Sequence, residues 1–129
     1  MNTIKTDNIV LRYRVSLELL LEQVPHLSCA MLAKTDGFEV TSVTRGTVPI
    51  SRLAALCSSL TALGNAALQE MGFKKGGSIL IEGETGKLLL LEVPRQGAPM
   101  VLALVGDGNV VTGSLLWAAR DCVRQLIDS

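Results

Sequence analysis

The residue types that could carry out chemistry are few and lie far apart along the chain. His26 is the single histidine, and no cluster of cysteines or acids surrounds it at metal-ligand spacing. We therefore interpret it as a surface residue of the turn after Pro25, and not as a metal ligand or general base. The segment Gly83-Glu84-Thr85-Gly86-Lys87 resembles a phosphate-binding loop, but its glycine spacing is wrong and no Ser or Thr follows the lysine.

A second candidate for anion chemistry is Gly106-Asp107-Gly108-Asn109, which precedes a predicted helix whose N-terminal amides could bind an anion. A tight turn with Asp107 or Asn109 as the helix cap explains the same residues without a ligand, and we favour it. The serines stand in no nucleophile elbow and near no base. The sequence thus predicts no catalytic, cofactor-binding or metal-binding residue, and a protein that is not an enzyme.

Composition limits the class of protein and its partners. The chain has 129 residues, 48% of them apolar and 19% charged, which fits one domain, residues 1–129, with a real core. Twelve basic residues balance twelve acidic ones without a basic stripe, so neither nucleic acid nor an anionic membrane is an expected partner. Cys29, Cys57 and Cys122 stand in apolar contexts, which favours buried thiols in a reducing compartment.

The location of the protein is also inferred from these patterns. Residues 1–7 lack the apolar region and cleavage site of a secretory signal. The most apolar stretch, residues 53–69, is interrupted by polar side chains and is at the short limit for a membrane span. We therefore expect a cytoplasmic protein without membrane insertion.

Helical spacing marks the first element of the chain. Asp7 or Asn8 can cap its start, Pro25 ends it, and residues 1–8 are expected to form a flexible N-terminus. A second apolar set on another face suggests that the helix is covered on more than one side: Leu11, Val15 and Leu19. The main face carries Val10, Tyr13, Leu17, Leu20, Leu21 and Val24.

The next elements follow from turn and cap signals. Asp36-Gly37 between the apolar runs 28–34 and 38–44 predicts a β-hairpin. Ser51 is the predicted cap of a long helix that ends before Gly72. Its sheet-facing stripe is predicted to comprise Leu53, Leu56, Cys57, Leu60, Gly64, Ala67, Leu68 and Met71.

Three more strands and a last helix complete the order α-β-β-α-β-β-β-α, an α+β fold. The run Leu88–Leu91 is apolar at successive positions, so its strand is buried on both faces and helices should cover both sides of the sheet. The strands are predicted at residues 78–82, 87–93 and 100–105, and the helix after Asn109.

Several motifs in this order carry a family resemblance. They are Leu20–Pro25, Met31–Val40 with its central Asp36-Gly37, Ile79–Glu84, and Gly86–Leu91. No single motif is diagnostic. Taken together and in this order, the motifs resemble the Roadblock family of dynein light chains and bacterial GTPase-regulator domains. The resemblance extends from about Val15 to Ile127.

The resemblance implies a profilin-like five-stranded antiparallel sheet, with the first and last helices on one face and the middle helix on the other. It also implies homodimers in which the third strands pair and the middle helices pack together. The implied partner is a small Ras-like GTPase, for which the dimer is a scaffold or regulator. The apolar N-terminal segment around Ile4, Ile9 and Leu11 has no family role that we can assign.

The middle helix supports a dimer independently of the resemblance. It has no charged residue between Arg52 and Glu70, although a helix face in contact with water is normally charged. Its outer side carries small residues where a second helix could approach closely: Ala55, Ser59, Ala62 and Ala66. The alternative is an alanine-rich surface helix without a partner.

The third strand predicts the same interface if it lies at the sheet edge, because open N–H and C=O groups there need protection. It contains no proline or lysine that would block pairing with a second copy. A short strand that stays solvated is the alternative. The predicted dimer interface is therefore Ala55, Ser59, Ala62, Ala66, Ser78, Ile79, Leu80, Ile81 and Glu82.

A neutral polar strip flanks the small residues of the middle helix. With Arg52 it forms the candidate GTPase-docking surface: Arg52, Ser58, Thr61, Asn65 and Gln69. Arg45 and Arg52 are the candidates for an arginine finger, although a solvated surface position explains each of them more simply. Any effect on GTP hydrolysis is therefore expected to come from repositioning the switch loops of the GTPase.

Two other functions are considered. Profilin-like sheets also host small-molecule pockets, but a ligand sensor needs convergent polar groups, and the sequence shows no such cluster. The chain could instead be a structural subunit that pairs with a different Roadblock chain. The sequence favours a non-enzymatic dimeric module that binds and regulates or scaffolds a Ras-like GTPase.

Overall fold

The computed structural model describes residues 2–95 and 98–128, with side chains from Asn8 onward. Within these residues three helices and five strands follow the predicted order. Their bounds are α1 Asn2–Gln23, β1 Leu27–Lys34, β2 Glu39–Thr44, α2 Ile50–Glu70, β3 Ser78–Glu82, β4 Gly86–Val93, β5 Met100–Asp107 and α3 Thr112–Ile127.

The strands form one antiparallel sheet in the order β2-β1-β5-β4-β3. Its edges are therefore β2 and β3, and the central strands β1 and β5 are almost entirely buried. In β4, Leu89 and Leu91 pack in one core while Leu90 packs in another. Burial on both faces, as predicted from the run Leu88–Leu91, is thus confirmed.

Two separate cores lie on the two faces of the sheet. The larger one joins α1 and α3 to the sheet and includes Leu17, Leu104 and Leu115, all fully buried. The smaller one joins α2 to the opposite face and includes Met31 and Cys57. The predicted α+β fold, with two helices on one face and one on the other, is confirmed.

The predicted helix starts were wrong. The first helix begins at Asn2, so Asp7 and Asn8 are internal, and residues 2–8, expected to be a flexible N-terminus, are helical. In α2, Ser51 does not cap the helix. Pro49 is the N-cap residue and makes no side-chain cap hydrogen bond; its carbonyl accepts the Leu53 N–H at 2.9 Å. Its φ of −76° is the value that the proline ring imposes, and its ψ of 86° is not helical, as is usual for an N-cap residue.

The predicted sheet-facing stripe of α2 was partly wrong. Leu53, Ala54 and Cys57 are buried, but Leu56 is 52% and Met71 69% exposed. Ala67, also predicted to face the sheet, is exposed as well. Each residue turns a helix by about 100°, so Leu56 points roughly a quarter turn away from the buried stripe.

The turn between β5 and α3 is packed against the turn between β3 and β4. A methyl group added at Gly108 would overlap the Glu84 carbonyl oxygen and lie 3.4 Å from Thr85 Cα. Both contacts are with backbone atoms, which cannot move aside easily. Glycine is therefore required here by the close approach of two backbones.

We expect Gly108→Ala to lower the free energy of unfolding by about 1–3 kcal/mol, measured by urea denaturation, because overpacking displaces one turn. The matched control is Gly113→Ala in the first turn of α3, where an added methyl group meets nothing within 4 Å. That variant should be as stable as the parent or more stable by up to about 1 kcal/mol, since alanine favours helix. Equal stability of the two variants would contradict the packing of these turns.

Candidate interaction surface

The side of α2 that faces away from the sheet is the outer face of α2, comprising Ala55, Leu56, Ser59, Ala62, Leu63 and Ala66, all of them exposed. Leu56 and Leu63 are 52% and 68% exposed and stand seven residues apart, on one side of the helix. No charged residue lies between Arg52 and Glu70. The outer face is therefore apolar and uncharged over about five helical turns.

Large exposed apolar side chains lie near both ends of α2. At one end is the β1–β2 turn, where Phe38 is 71% exposed; a Cβ at the neighbouring Gly37 would lie 3.5 Å from Ser58 Cβ. At the other end Met71 and Phe73 are 69% and 64% exposed. Single exposed apolar residues are ordinary, but a group of this kind along one uncharged helix marks an interaction surface.

The strand β3 lies at the sheet edge, next to β4. At one end of this pair the Gly83 N–H donates to the Gly86 carbonyl at 2.8 Å, and at the other the Glu92 N–H donates to the Gly77 carbonyl at 3.1 Å. No bulge interrupts the register between them. In an antiparallel pair, bonded and non-bonded residues alternate, so the backbone groups of Ser78, Leu80 and Glu82 point to the open side.

The polar strip beside the outer face divides into two groups. The Ser58 hydroxyl group donates a hydrogen bond to the Thr35 carbonyl at 2.8 Å. Asn65 donates to Glu92 Oε1 at 3.2 Å and accepts the Gly76 N–H at 2.9 Å. These two side chains stabilise the β1–β2 turn and the connection from α2 to β3. Arg52 and Gln69 are exposed, and Thr61 is half-buried.

A cavity of about 320 Å³ lies between the second half of α2, β3, β4 and the connection before β3. Thr61, Leu68, Met71, Phe73, Ile79 and Glu92 are among its lining residues. Gly64 also lines the cavity and packs closely against Ile79, since a Cβ at this position would lie 2.9 Å from Ile79 Cδ1. The cavity therefore lies between the β3-facing side of α2 and the edge strand.

The residues first considered for chemistry have structural partners. Lys87 of the phosphate-loop-like segment donates to the Val110 carbonyl at 2.6 Å and to Thr112 Oγ1 at 2.8 Å, so it holds the start of α3. His26 Nδ1 lies 3.3 Å from Asp107 Oδ2. Within residues 2–95 and 98–128, no three His, Cys, Asp or Glu side chains are grouped closely enough to hold a metal.

The tight turn predicted before α3 is confirmed, because Asp107 Oδ1 accepts the Asn109 N–H at 2.8 Å. The predicted cap is wrong. Val111 is the N-cap residue of α3, and it makes no side-chain cap hydrogen bond. The Lys87 ammonium group, bound to the carbonyl before this residue, is the polar partner at this helix start.

The three cysteines are buried free thiols. Burial raises the pKa of Cys29 and Cys57 to about 11 and that of Cys122 to about 12. We expect a thiol-specific reagent at about pH 8 to modify none of them in the folded chain and all three in denaturant, because the thiolate is the reactive form. Fast modification before unfolding would contradict this burial.

The same shifts predict how stability depends on pH. The folded chain holds the thiol protons more tightly than the unfolded chain, whose thiols have a pKa near 9.0. The folded state therefore binds more protons between about pH 9 and pH 11, and the free energy of unfolding falls as the pH rises through this window. The control is the Cys122→Ala variant, in which the free energy of unfolding should decrease less over the same pH range.

The described residues thus form an antiparallel sheet covered on both faces, with an uncharged helix face and an open strand edge. The chain belongs to the Roadblock/LC7 domain family, whose model matches residues 15–104. Among curated proteins none matches this chain.

Solved structures with low sequence identity share the fold. MglB with a tetrameric arrangement is 21% identical to this chain, with a TM-score of 0.84. The matched region covers 93% of this chain and 88% of the MglB chain. The gliding protein MglB from Thermus thermophilus is 20% identical, with a TM-score of 0.84, covering 93% and 89%. A Roadblock/LC7 domain from Streptomyces avermitilis is 23% identical, with a TM-score of 0.74, covering 86% and 91%.

No helix of the described part of the chain combines the length and the apolar character needed to span a bilayer.

Proposed function

We propose that this chain is a non-enzymatic, dimeric, cytoplasmic module that binds and regulates or scaffolds a small Ras-like GTPase. The observation that carries the proposal is the outer face of α2, an apolar helix surface beside an open strand edge. One copy of the chain can bury only one face of α2 against its own sheet. A second copy supplies the same helix face and the same edge, as a two-fold interface requires.

The exposed apolar side chains of the outer face support a partner, because Leu56 and Leu63 are 52% and 68% exposed. The structural neighbour MglB has a tetrameric arrangement, which supports the proposal of an associating chain.

The open edge of β3 supports pairing through the backbone. The N–H and C=O groups of Ser78, Leu80 and Glu82 point away from β4, and pairing with a second β3 would satisfy them. The side chains of Ile79 and Ile81 lie on the same face of the strand as α2. Pairing of the strands would therefore bring the two α2 helices to the same side of a continuous sheet.

The GTPase partner is supported by membership of the Roadblock/LC7 family. Arg52 and Gln69 are exposed polar side chains near the two ends of the outer face of α2, and we propose that they contact the GTPase. Ser58 and Asn65 contribute by holding the adjacent turns in place. Regulation would then act by ordering the switch loops of the GTPase, without a residue donated to its active site.

The test is binding to Ras-like GTPases encoded near this chain, each loaded with GDP or with a non-hydrolysable GTP analogue. We expect gel filtration and calorimetry to show a complex that prefers one nucleotide state, and Arg52→Ala with Gln69→Ala to weaken it. Arg95→Ala, at the far side of the sheet beside Tyr13, is the control and should bind normally. Binding of no GTPase in either state would overturn the proposal. Formation of preferred heterodimers with another Roadblock chain would instead favour a structural subunit.

A small-molecule sensor is the second candidate, favoured by the cavity beside β3. Its volume of about 320 Å³ is at the lower end of the range for ligand sites. Asn65 and Glu92 are polar side chains beside the cavity, but they form a hydrogen bond with each other. A thermal-shift screen of metabolites distinguishes the candidates: a ligand that raises the melting temperature, with the effect lost in Gly64→Leu, would favour the sensor.

A further inference from the structure

The two ends of the edge strand β3 carry opposite charges. Lys74 and Lys75 precede the strand, Glu84 follows it at the tip of the β3–β4 turn, and all three side chains are exposed. None of the three makes an ion pair with a side chain that the structure describes. Unpaired positive charge therefore lies before the strand, and unpaired negative charge lies after it.

The other acidic residues near β3 do not neutralise these charges. The Glu82 carboxylate lies 3.5 Å from Lys87 Nζ in its own chain. Glu92 accepts a hydrogen bond from Asn65 at 3.2 Å. Glu70, at the end of α2, is exposed and makes no ion pair with the described lysines. Only the charges before and after the strand are available to a partner.

Contacts within the chain hold both charged ends in place. Before the strand, the Gly76 N–H donates to Asn65 at 2.9 Å, and the Gly77 carbonyl accepts a hydrogen bond from β4 at 3.1 Å. After the strand, the Glu84 carbonyl packs against Gly108 so closely that a methyl group there would overlap it. Little ordering is therefore needed before a partner binds, which favours association.

The open backbone groups of β3 favour one register for pairing with a second β3. With Leu80 opposite the partner's Leu80 in an antiparallel pair, Ser78 lies opposite the partner's Glu82. Every outward N–H and C=O group of the strand then has a partner. A shift of two residues in either direction moves one of these residues beyond the end of the partner's strand, so its backbone groups would stay unpaired.

This register brings each end of one strand to the opposite end of the other. Glu84 lies two residues beyond the end of β3, at the level of the partner's Gly76, and the partner's Lys74 and Lys75 directly precede that glycine. Each residue advances an extended chain by about 3.3 Å, and lysine has a long flexible side chain. Parallel strands would instead bring lysines beside lysines, which repel each other.

We propose that Lys74 and Lys75 of each copy form ion pairs with Glu84 of a second copy. One such charge clamp closes each end of the paired β3 strands, and the two clamps set the direction and register of pairing. This rests on the dimer of the proposed function and adds how its strands are aligned. The pairs are exposed, so each contributes modestly, and the contribution decreases as salt screens the charges.

The test is the dissociation constant of the full-length dimer, measured by sedimentation at low and at high salt. We expect Glu84→Lys to raise it about tenfold at low salt, because repulsion replaces attraction at both ends of the paired strands. The difference should be smaller at high salt. The matched control is Glu22→Lys, an exposed position in α1, across the sheet from α2. It should dimerise as the wild type does.

Mixing two variants tests whether the charges meet across the interface. One chain carries Glu84→Lys, and the other carries Lys74→Glu together with Lys75→Glu. Each homodimer has like charges at both ends, whereas the heterodimer has opposite charges at both ends. Native mass spectrometry should therefore find more heterodimer than random pairing gives. One chain with all three reversals should dimerise as the wild type does, since its clamps are reversed but complementary.

Failure of the clamp is distinguishable from failure of the dimer. If Ala62→Glu dissociates the dimer and the charge reversals leave it unchanged, the clamp is wrong and the dimer of the proposed function stands. If the reversals weaken the dimer but mixing gives random pairing, the charges do not meet, and the clamp is overturned. A wild type that stays monomeric at high micromolar concentration would overturn the dimer and the clamp together.

Discussion

Ala62→Glu is expected to convert the proposed dimer into a monomer at micromolar concentration. Ala62 is an exposed small residue near the midpoint of α2, on its outer face beside Ala55 and Ala66. In a two-fold helix pair the two introduced carboxylates would be buried close together and without a cation. Burying an unpaired charge costs several kcal/mol, so we expect the dissociation constant of the dimer to increase by about 100-fold or more.

Light scattering coupled to gel filtration measures this change directly. The control is Ser114→Glu, which adds the same charge at an exposed position in the first turn of α3, on the opposite face of the sheet. That variant should keep the mass of the wild type, since acidic residues are favourable at a helix start. The Ala62→Glu subunit should still fold, because its new side chain points away from the core. A dimer that persists in Ala62→Glu would show that another face is used.

The second large effect concerns the backbone of β3. Because the Leu80 N–H points away from β4, Leu80→Pro removes a donor at the open edge and leaves the bonds to β4 intact. The proline ring would also prevent a second strand from approaching. We expect the dimer to weaken by about tenfold or more, by loss of hydrogen bonds and by the steric clash.

The matched control for this substitution is Leu80→Ala. It removes the same side-chain contacts with the larger core but keeps the N–H group. It should lower the stability of each subunit and leave the dimer assembled. If both variants dimerise equally, as judged by sedimentation, the edge of β3 is not used in the assembly. If both are monomeric, the side chain and not the backbone is responsible.

The topology could be predicted because each apolar run is bounded by local turn signals. Asp36-Gly37 marks the first hairpin, and the run Leu88–Leu91 indicates a strand covered on both faces. The bounds of β1, β4 and β5 extend one or two residues beyond the predicted ones. The helix starts were missed because α1 continues upstream of the residues that looked like caps, and because Pro49 starts α2 without a polar cap.

The site was predicted less completely, because its details depend on contacts between distant residues. The spacing of leucines does not tell which side of α2 faces the sheet, so Leu56 was placed inward and Leu63 was missed. The signal that could have found them is their spacing of seven residues in register with Ser59 and Ala66. Ser58 and Asn65 looked like free polar side chains, but their partners lie in the β1–β2 turn, in β4 and in the connection before β3.

The direction of the backbone groups in β3 has a consequence for partner choice. Peptide groups are chemically the same in every protein, so an edge strand accepts any extended segment of similar length. Discrimination between an identical copy, a related subunit and an unrelated chain must then depend on side chains, namely the charges at the ends of β3 and the fit of Leu56 and Leu63 to their counterparts. Paralogous chains that preserve these features would exchange subunits with this one, and chains that replace them would be kept apart.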